Sequence, residues 1–373
     1  MFPARPGWGR WVALIVVVCL LGAPAAAAAQ SAPNAAPFDV AARSAVLYDV
    51  HTGQVLYAKN PDERLAPASL AKIMTMLLAL EAIDAGKVSL SDRVTISENA
   101  WRLSVRAGTA RDVSVMFIQV GEQVSVEELL YGIGVSSGND ASLALAEFLA
   151  GNEQVFVDQM NRRAQELGLE NTHFVDSHGL SPEAYTTALD MAKLAAFFVR
   201  TQHDGLVYAS KPEFTFHGIT QPNRNGLVMR DDRVTGLKTG HLSVAGYHLV
   251  ATAQDGEMSL VASVLGTASD RAREEIALQL LNYGFRNFRT VTPAWGENGQ
   301  KTVPVYKGAE AEVAVRPAQR LIATVPADQA GQITLREQLP AYLEAPVSEG
   351  QVVGKLALEA GGQTVAEFDL VTA

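Results

Sequence analysis

The chain has 373 residues and a formal net charge of −10, with 48% hydrophobic and 19% charged residues. This length is sufficient for two domains, and the composition is that of an ordinary globular protein, which excludes a disordered or fibrous chain. The acidic balance and the lack of a basic cluster argue against nucleic acid as a partner.

The first residues have the pattern of a secretory signal peptide. Arg5 and Arg10 precede an apolar stretch from Trp11 to Leu21, and a Gly-Ala-Pro break and an alanine run follow. Basic, apolar and small-residue regions in this order predict a signal peptide over residues 1–29, cleaved after Ala29. An uncleaved membrane anchor is the alternative, because the apolar stretch is near the lower length limit for a membrane span.

Cysteine usage agrees with export. The only cysteine, Cys19, lies inside the predicted signal peptide, so the mature chain would have neither a disulfide nor a catalytic thiol. Cleavage also removes Arg5 and Arg10, which changes the formal charge from −10 to −12. Together these features predict an exported protein of the bacterial periplasm or cell envelope.

Hydrophobic patterning predicts a linker over residues 30–37 and then a mixed domain over residues 38–289. The segments SAVLYDV and QVLYAKN flank a His-Thr-Gly turn and predict a β-hairpin, as do GYHLVATA and MSLVASVLG around Gln-Asp-Gly. Helix patterns and caps lie between and after these hairpins, at residues 67–80, at Ser125 with Glu128, at 140–149, at 155–167, after Thr187 and at 270–283. The predicted fold class is therefore α/β in the sense of α+β, an antiparallel sheet flanked by helices.

The pattern of apolar segments and turn residues changes after about Arg289. Short segments such as TVPVY, AEVAV, QITL and TVAEFDL are separated by Pro and Gly. Several short strands at this spacing predict a small β-sandwich domain over residues 290–373, without a chemistry-bearing cluster.

The segment LAPASLAKIMTML contains an unexpected lysine. From Leu70 to Leu80 only Lys72 and Thr75 are polar, which predicts a helix buried on all sides, and lysine is rarely buried without a partner. Ser69 lies three residues earlier, on the same helix face and near the helix N-terminus. A serine hydroxyl beside a neutral lysine amine is a nucleophile with its base; an N-cap serine and a solvent-reaching lysine are the alternatives.

Two further motifs support a catalytic role for Ser69 and Lys72. In SSGND, Gly138 permits a tight turn that presents Ser137 and Asn139 to a cleft, although a helix cap fits the same letters. In GLKTGH, Lys238 and Thr239 offer a cation and a hydroxyl to a carboxylate, and Gly240 keeps a strand edge open; a surface turn is the alternative. S-x-x-K, a Ser/Asn loop and K-T-G in this order form the signature of class A β-lactamases and penicillin-binding proteins.

Longer stretches extend this similarity. SSGNDA, ELGLENTHFVDSHGL, FTFHGITQPNRNGL and VTGLKTGHLSVAGYHLVATA resemble low-molecular-mass penicillin-binding proteins, the serine-type D-alanyl-D-alanine carboxypeptidases, over about residues 38–290. The resemblance implies a DD-peptidase/β-lactamase-like fold and removal of the terminal D-alanine from peptidoglycan stem peptides. It also implies covalent binding of β-lactam antibiotics at Ser69, and no metal or organic cofactor.

The resemblance also implies roles for individual residues. Ser69 is the expected nucleophile and Lys72 its general base, while Ser137 and Asn139 complete the proton relay and hold the substrate amide. The other expected contacts with substrate are Lys238 and Thr239 with the terminal carboxylate, Arg273 with the same charge, Gly240 at the strand edge, and the backbone N–H groups of Ser69 and His241 as the oxyanion hole.

Several alternatives stay open at this stage. A β-lactamase or esterase on the same scaffold would need a water-activating glutamate, for which Glu183 is the nearest candidate, and a non-catalytic cell-wall scaffold protein would be expected to lose Ser69 or Lys72. A transpeptidase shares the acyl-enzyme. The histidines lack a zinc-binding spacing, and His178 is expected to hold a loop. No basic amphipathic segment follows EFDLVTA, so membrane attachment is open.

Overall fold

The computed structural model describes residues 38–106 and 113–373. The predicted signal peptide and linker, residues 1–37, lie outside these ranges. Within them, no helix has the length and apolar character needed to cross a membrane.

The described residues form strands and helices in the order that the sequence predicts. The helices are α1 (Lys72–Asp84), α2 (Glu98–Arg106), α3 (Val126–Gly134), α4 (Asn139–Ala150), α5 (Glu153–Glu166), α6 (Ala188–Thr201), α7 (Val207–Ser210) and α8 (Asp270–Asn287). The strands are β1 (Ser44–Asp49), β2 (Val55–Lys59), β3 (Arg93–Thr95), β4 (Gln123–Ser125), β5 (Glu213–Phe216), β6 (Ile219–Pro222), β7 (Val234–Leu242), β8 (Gly246–Asp255), β9 (Met258–Thr267), β10 (Phe288–Val291), β11 (Lys301–Tyr306), β12 (Glu312–Pro317), β13 (Ala323–Pro326), β14 (Ile333–Gln338), β15 (Leu343–Glu344), β16 (Val352–Ala360) and β17 (Gln363–Thr372).

A five-stranded antiparallel sheet of order β2-β1-β9-β8-β7 is the centre of the first part of the chain. Both predicted hairpins are present, as β1–β2 and β8–β9, and β1 pairs with β9 to join them. The strand β7 is therefore an edge strand, and one side of it is available to the neighbouring helices and to a cleft.

Helices cover both faces of this sheet, which explains the long apolar runs in its strands. Ala45 and Leu47 on β1 share a core with Ile276 and Leu280 of α8, while the intervening Val46 belongs to the core formed with α1, α3, α4 and α6. The predicted capping box is present, since the Ser125 side chain accepts from the Glu128 N–H and Glu128 reaches back to the Ser125 N–H. The predicted α+β class is confirmed.

The last part of the chain is rich in β-strands, as predicted. A curled six-stranded sheet of order β14-β16-β17-β12-β11-β15 and the pair β10–β13 enclose a core that includes Trp295, Val315, Leu356 and Phe368. The strand β10 directly follows α8 and runs across the predicted boundary at residue 289. At this junction Thr324 on β13 donates its hydroxyl to Asp49 Oδ2 (2.8 Å), a buried contact with the last residue of β1.

Candidate active site

Ser69 lies in a single 3₁₀ turn, Ala68–Ala71, that continues into α1. The sequence predicts Ser69 in the first turn of an α-helix, so the element differs while the position at the helix start is as expected. Ala68 has a positive φ of 50°, unusual for a residue with a side chain, and it precedes the serine directly. The tight turn gives Ser69 partial exposure, whereas both of its neighbours are buried.

Lys72 is the first residue of α1 and is fully buried, with 0% of its surface exposed. Its Nζ lies 2.8 Å from Ser69 Oγ, 2.6 Å from Asn139 Oδ1 and 2.6 Å from the His178 carbonyl oxygen. The last two groups can only accept hydrogen bonds. A neutral amine therefore gives its two N–H groups to them and directs its lone pair at the Ser69 hydroxyl.

Burial governs the charge of this amine. Removal from water lowers the pKa of Lys72 from 10.5 to about 7, against the opposing attraction of Asp176 and Asp140. A second lysine, Lys238, lies close enough for the two cations to repel each other. Burial together with the charges of Lys72, Arg273 and Arg224 holds the pKa of Lys238 well below its ordinary value.

The SSGND segment joins α3 to α4 and brings the Asn139 side chain to Lys72. Ser137 has the positive φ, 60°, whereas Gly138 has a φ of −56°, so the prediction that Gly138 makes the tight turn is wrong. Glycine is required there for space, because a Cβ would lie 2.9 Å from Asp140 Oδ1. That buried carboxylate in turn accepts the backbone N–H groups of Met116 and Phe117.

The GLKTGH segment lies on the edge strand β7. Lys238 is buried, and its Nζ donates to the Thr239 carbonyl oxygen (3.2 Å). A Cβ at Gly240 would lie 3.1 Å from the Pro67 carbonyl oxygen and 3.2 Å from Ala68 Cβ. The absent side chain therefore allows β7 to pack against the turn that precedes Ser69, a different reason from the open strand edge that the sequence suggests.

Arg273 reaches the same strand from α8. Its guanidinium donates to the Gly240 carbonyl oxygen (3.2 Å) and forms an ion pair with Asp270 (2.8 Å). His241 stacks on Tyr247, with ring centroids 4.1 Å apart. Both side chains line the cleft that exposes Ser69.

That cleft has a volume of about 470 Å³. Its lining includes the predicted residues Ser69, Ser137, Thr239, Gly240, His241 and Arg273, while Lys72, Asn139 and Lys238 are buried. The structure therefore brings all nine predicted site residues into one region. Glu183, the nearest candidate in the sequence for a water-activating glutamate, is exposed and is not among the residues that line this cleft.

Two features of the site are absent from the predicted motifs. Arg224 lines the cleft, and its two neighbours in the sequence are buried asparagines. Asn223 donates to the Ala209 and Lys211 carbonyls, and Asn225 donates to the Gly236 carbonyl. An N-R-N motif before K-T-G is the signal that identifies it. The other feature is the His178 carbonyl, which contacts Lys72 through the backbone and has no side-chain signature.

Comparison with known proteins agrees with this geometry. A family model described as D-alanyl-D-alanine carboxypeptidase matches residues 27–269, and one for the C-terminal domain of penicillin-binding protein 5 matches residues 288–373. The chain is 40% identical to the D-alanyl-D-alanine carboxypeptidase DacC of Escherichia coli K12 over 94% of this chain and 88% of that protein.

Solved structures give the same result. Penicillin-binding protein 5 of Haemophilus influenzae superposes with a TM-score of 0.85 at 38% identity, covering 91% of this chain and 98% of that one. Penicillin-binding protein D2 of Listeria monocytogenes, in its ampicillin-bound form, superposes with a TM-score of 0.59 at 30% identity. It covers 68% of this chain and 100% of that one.

Proposed function

Since the chain belongs to the D-alanyl-D-alanine carboxypeptidase family and is thus a serine-peptidase hydrolase, we propose that it removes the terminal D-alanine from peptidoglycan stem pentapeptides through an acyl-enzyme on Ser69. The observation that carries this mechanism is the buried Lys72 amine, 2.8 Å from the Ser69 hydroxyl, with its other two contacts made to pure acceptors.

Acylation follows from this arrangement. Lys72 takes the proton of the Ser69 hydroxyl while Ser69 Oγ attacks the carbonyl carbon of the bond between the two D-alanines. The backbone N–H groups of Ser69 and His241 hold the resulting oxyanion, and each such donor typically contributes about 10²–10³ in rate. The C–N bond then breaks, and the leaving amine receives a proton through Ser137. Water hydrolyses the ester with Lys72 as base and restores Ser69.

The terminal carboxylate would bind at the β7 edge. Thr239 offers a hydroxyl there, and Lys238, Arg273 and Arg224 place positive charge around it. Among the described residues, Lys238 Nζ contacts a backbone carbonyl and no carboxylate. A bound substrate carboxylate would supply that opposite charge. Asn139 stays available to the substrate through its amide nitrogen, because its oxygen contacts Lys72.

We propose the same site for covalent β-lactams, in line with the ampicillin-bound form of the Listeria relative. The catalytic domain would span residues 38–289 and the β-rich domain residues 290–373. The predicted signal peptide supports export to the periplasm or cell envelope, where the stem peptides are found.

The test is release of D-alanine from diacetyl-Lys-D-Ala-D-Ala by the wild-type protein and by Ser69→Ala, with and without penicillin. Release that requires Ser69 and stops when penicillin labels that residue is the expected result. No release with stable penicillin labelling would instead indicate a binding or scaffold role. Rapid turnover of penicillin without D-alanine release would indicate a β-lactamase.

A further inference from the structure

One peptide unit connects Lys72 to a carboxylate outside the predicted site. The carbonyl oxygen of His178 accepts from Lys72 Nζ (2.6 Å), and the N–H of the same amide, from Gly179, donates to Asp176 Oδ1. Asp176 Oδ1 also accepts the His178 N–H (3.1 Å), and its Oδ2 accepts the Ser181 N–H (2.8 Å). The carboxylate thus fixes the orientation of the amide whose oxygen contacts the lysine.

This arrangement has an electrostatic consequence. A carboxylate at the N–H end of an amide polarises it and makes the carbonyl at the other end a stronger acceptor, because hydrogen bonds in a chain reinforce each other in a low-dielectric interior. Asp176 is also the first of the two carboxylates whose charge opposes the effect of burial on the pKa of Lys72. The polarised carbonyl and the carboxylate charge therefore both favour the ammonium form of Lys72.

We propose that Asp176 is a positioning residue that orients the Lys72 amine and sets its charge through the His178–Gly179 peptide. The proposal deepens the function proposed above, since it concerns the base that activates Ser69. Without Asp176, the carbonyl would lose its fixed direction and the lysine would lose the larger of the two negative charges that compensate its own.

The other ionisable groups around Lys72 come from three elements. Asp140 approaches from the first turn of α4, and Lys238 approaches from β7. On the loop itself, His178 lies 3.4 Å from Asp176 and 3.7 Å from Glu153. His178 Nδ1 also accepts the Leu180 N–H (3.3 Å).

Glu153 provides a matched control. Its Oε1 accepts the Ser177 N–H (2.9 Å) and hydroxyl (2.6 Å), so it anchors the same loop with the same charge. It does not bond to the His178–Gly179 amide. Glu153→Gln therefore removes a negative charge beside this loop, keeps a side-chain oxygen that can accept from Ser177, and leaves the proposed connection intact.

The experiment is the pH dependence of Ser69 acylation by a fluorescent penicillin in the wild type, Asp176→Asn, Asp176→Ser and Glu153→Gln. Loss of the Asp176 charge disfavours the ammonium, so the neutral amine persists to lower pH. We expect the acid limb of both Asp176 variants to move down by about one pH unit, with a lower plateau rate. Glu153→Gln should leave the position of the acid limb unchanged.

A second readout does not depend on activity. The ¹³Cε resonance of Lys72, identified by its loss in Lys72→Arg, should titrate at lower pH in the Asp176 variants than in the wild type. Unchanged midpoints in correctly folded Asp176 variants would overturn the inference and leave Asp176 as a loop anchor. If the wild type is not acylated at any pH, the proposed function fails, and the resonance still decides whether Asp176 acts on Lys72.

Discussion

Lys72→Ala is expected to abolish acylation of Ser69 while the protein stays folded. The amine is the only described base within hydrogen-bonding distance of the Ser69 hydroxyl, and a positioned general base typically contributes about 10²–10⁴ in rate. The measurement is the rate of Ser69 labelling by a fluorescent penicillin, with D-alanine release as the second assay. Unchanged labelling would exclude Lys72 as the base.

Lys72→Met is the matched variant, because it keeps the length of the side chain and removes only the amine. It should lose acylation to the same extent as Lys72→Ala. Its unfolding temperature should equal or exceed that of the wild type near neutral pH, since an apolar replacement for a buried ionisable group is often neutral or stabilising. A Met variant that retained labelling would show that the alanine change acts by distorting the site.

The same pair of proteins gives a pH dependence of stability. The pKa of Lys72 is about 7 in the folded state and 10.5 when unperturbed, so between these values the unfolded chain binds more protons. The lysine therefore costs folding free energy in full below about pH 7, and this cost disappears as the pH rises toward 10.5. The wild type should gain stability relative to Lys72→Met across this window in urea unfolding.

The sequence predicted much of the site because its chemistry is carried by side chains in short motifs. The apolar run around Lys72 is enough to indicate a buried amine, and the fold places Asn139, 67 positions away, on that amine. The hairpins β1–β2 and β8–β9 could likewise be predicted from the sequence, since a hairpin is a local pattern. Pairing of β1 with β9 depends on contacts between distant segments, which the local pattern does not contain.

What the sequence did not predict depends on backbone and close packing. The His178 carbonyl could be found only by folding the chain, because every residue except proline offers the same backbone groups. Gly138 and Gly240 were correctly selected as special positions but for other reasons. Both lack a side chain because a neighbouring group lies close to that space, Asp140 in one case and the Pro67 carbonyl with the Ala68 methyl group in the other.

Gly179→Ala is expected to have the second large effect. Gly179 has a φ of 85°, and a Cβ there would overlap the Ala68 carbonyl oxygen and lie 3.0 Å from the Ser69 nitrogen. These are backbone atoms of the peptide whose N–H is the proposed oxyanion donor, so no side-chain rotation relieves the clash. Backbone strain and overpacking together should cost about 2–6 kcal/mol in the free energy of unfolding.

In Gly179→Ala the rate of Ser69 acylation should also fall, even in the fraction of the protein that stays folded. Displacement of the Ala68–Ser69 peptide by about 1 Å is enough to lower acylation about 10²-fold, because nucleophile and oxyanion donor move together. Gly168→Ala is the control, since Gly168 has a φ of 66° but no atom within 4 Å of its Cβ position. It should lose only about 1 kcal/mol of stability and keep full acylation. Equal acylation rates in the two variants would contradict the packing of Gly179 against the nucleophile turn.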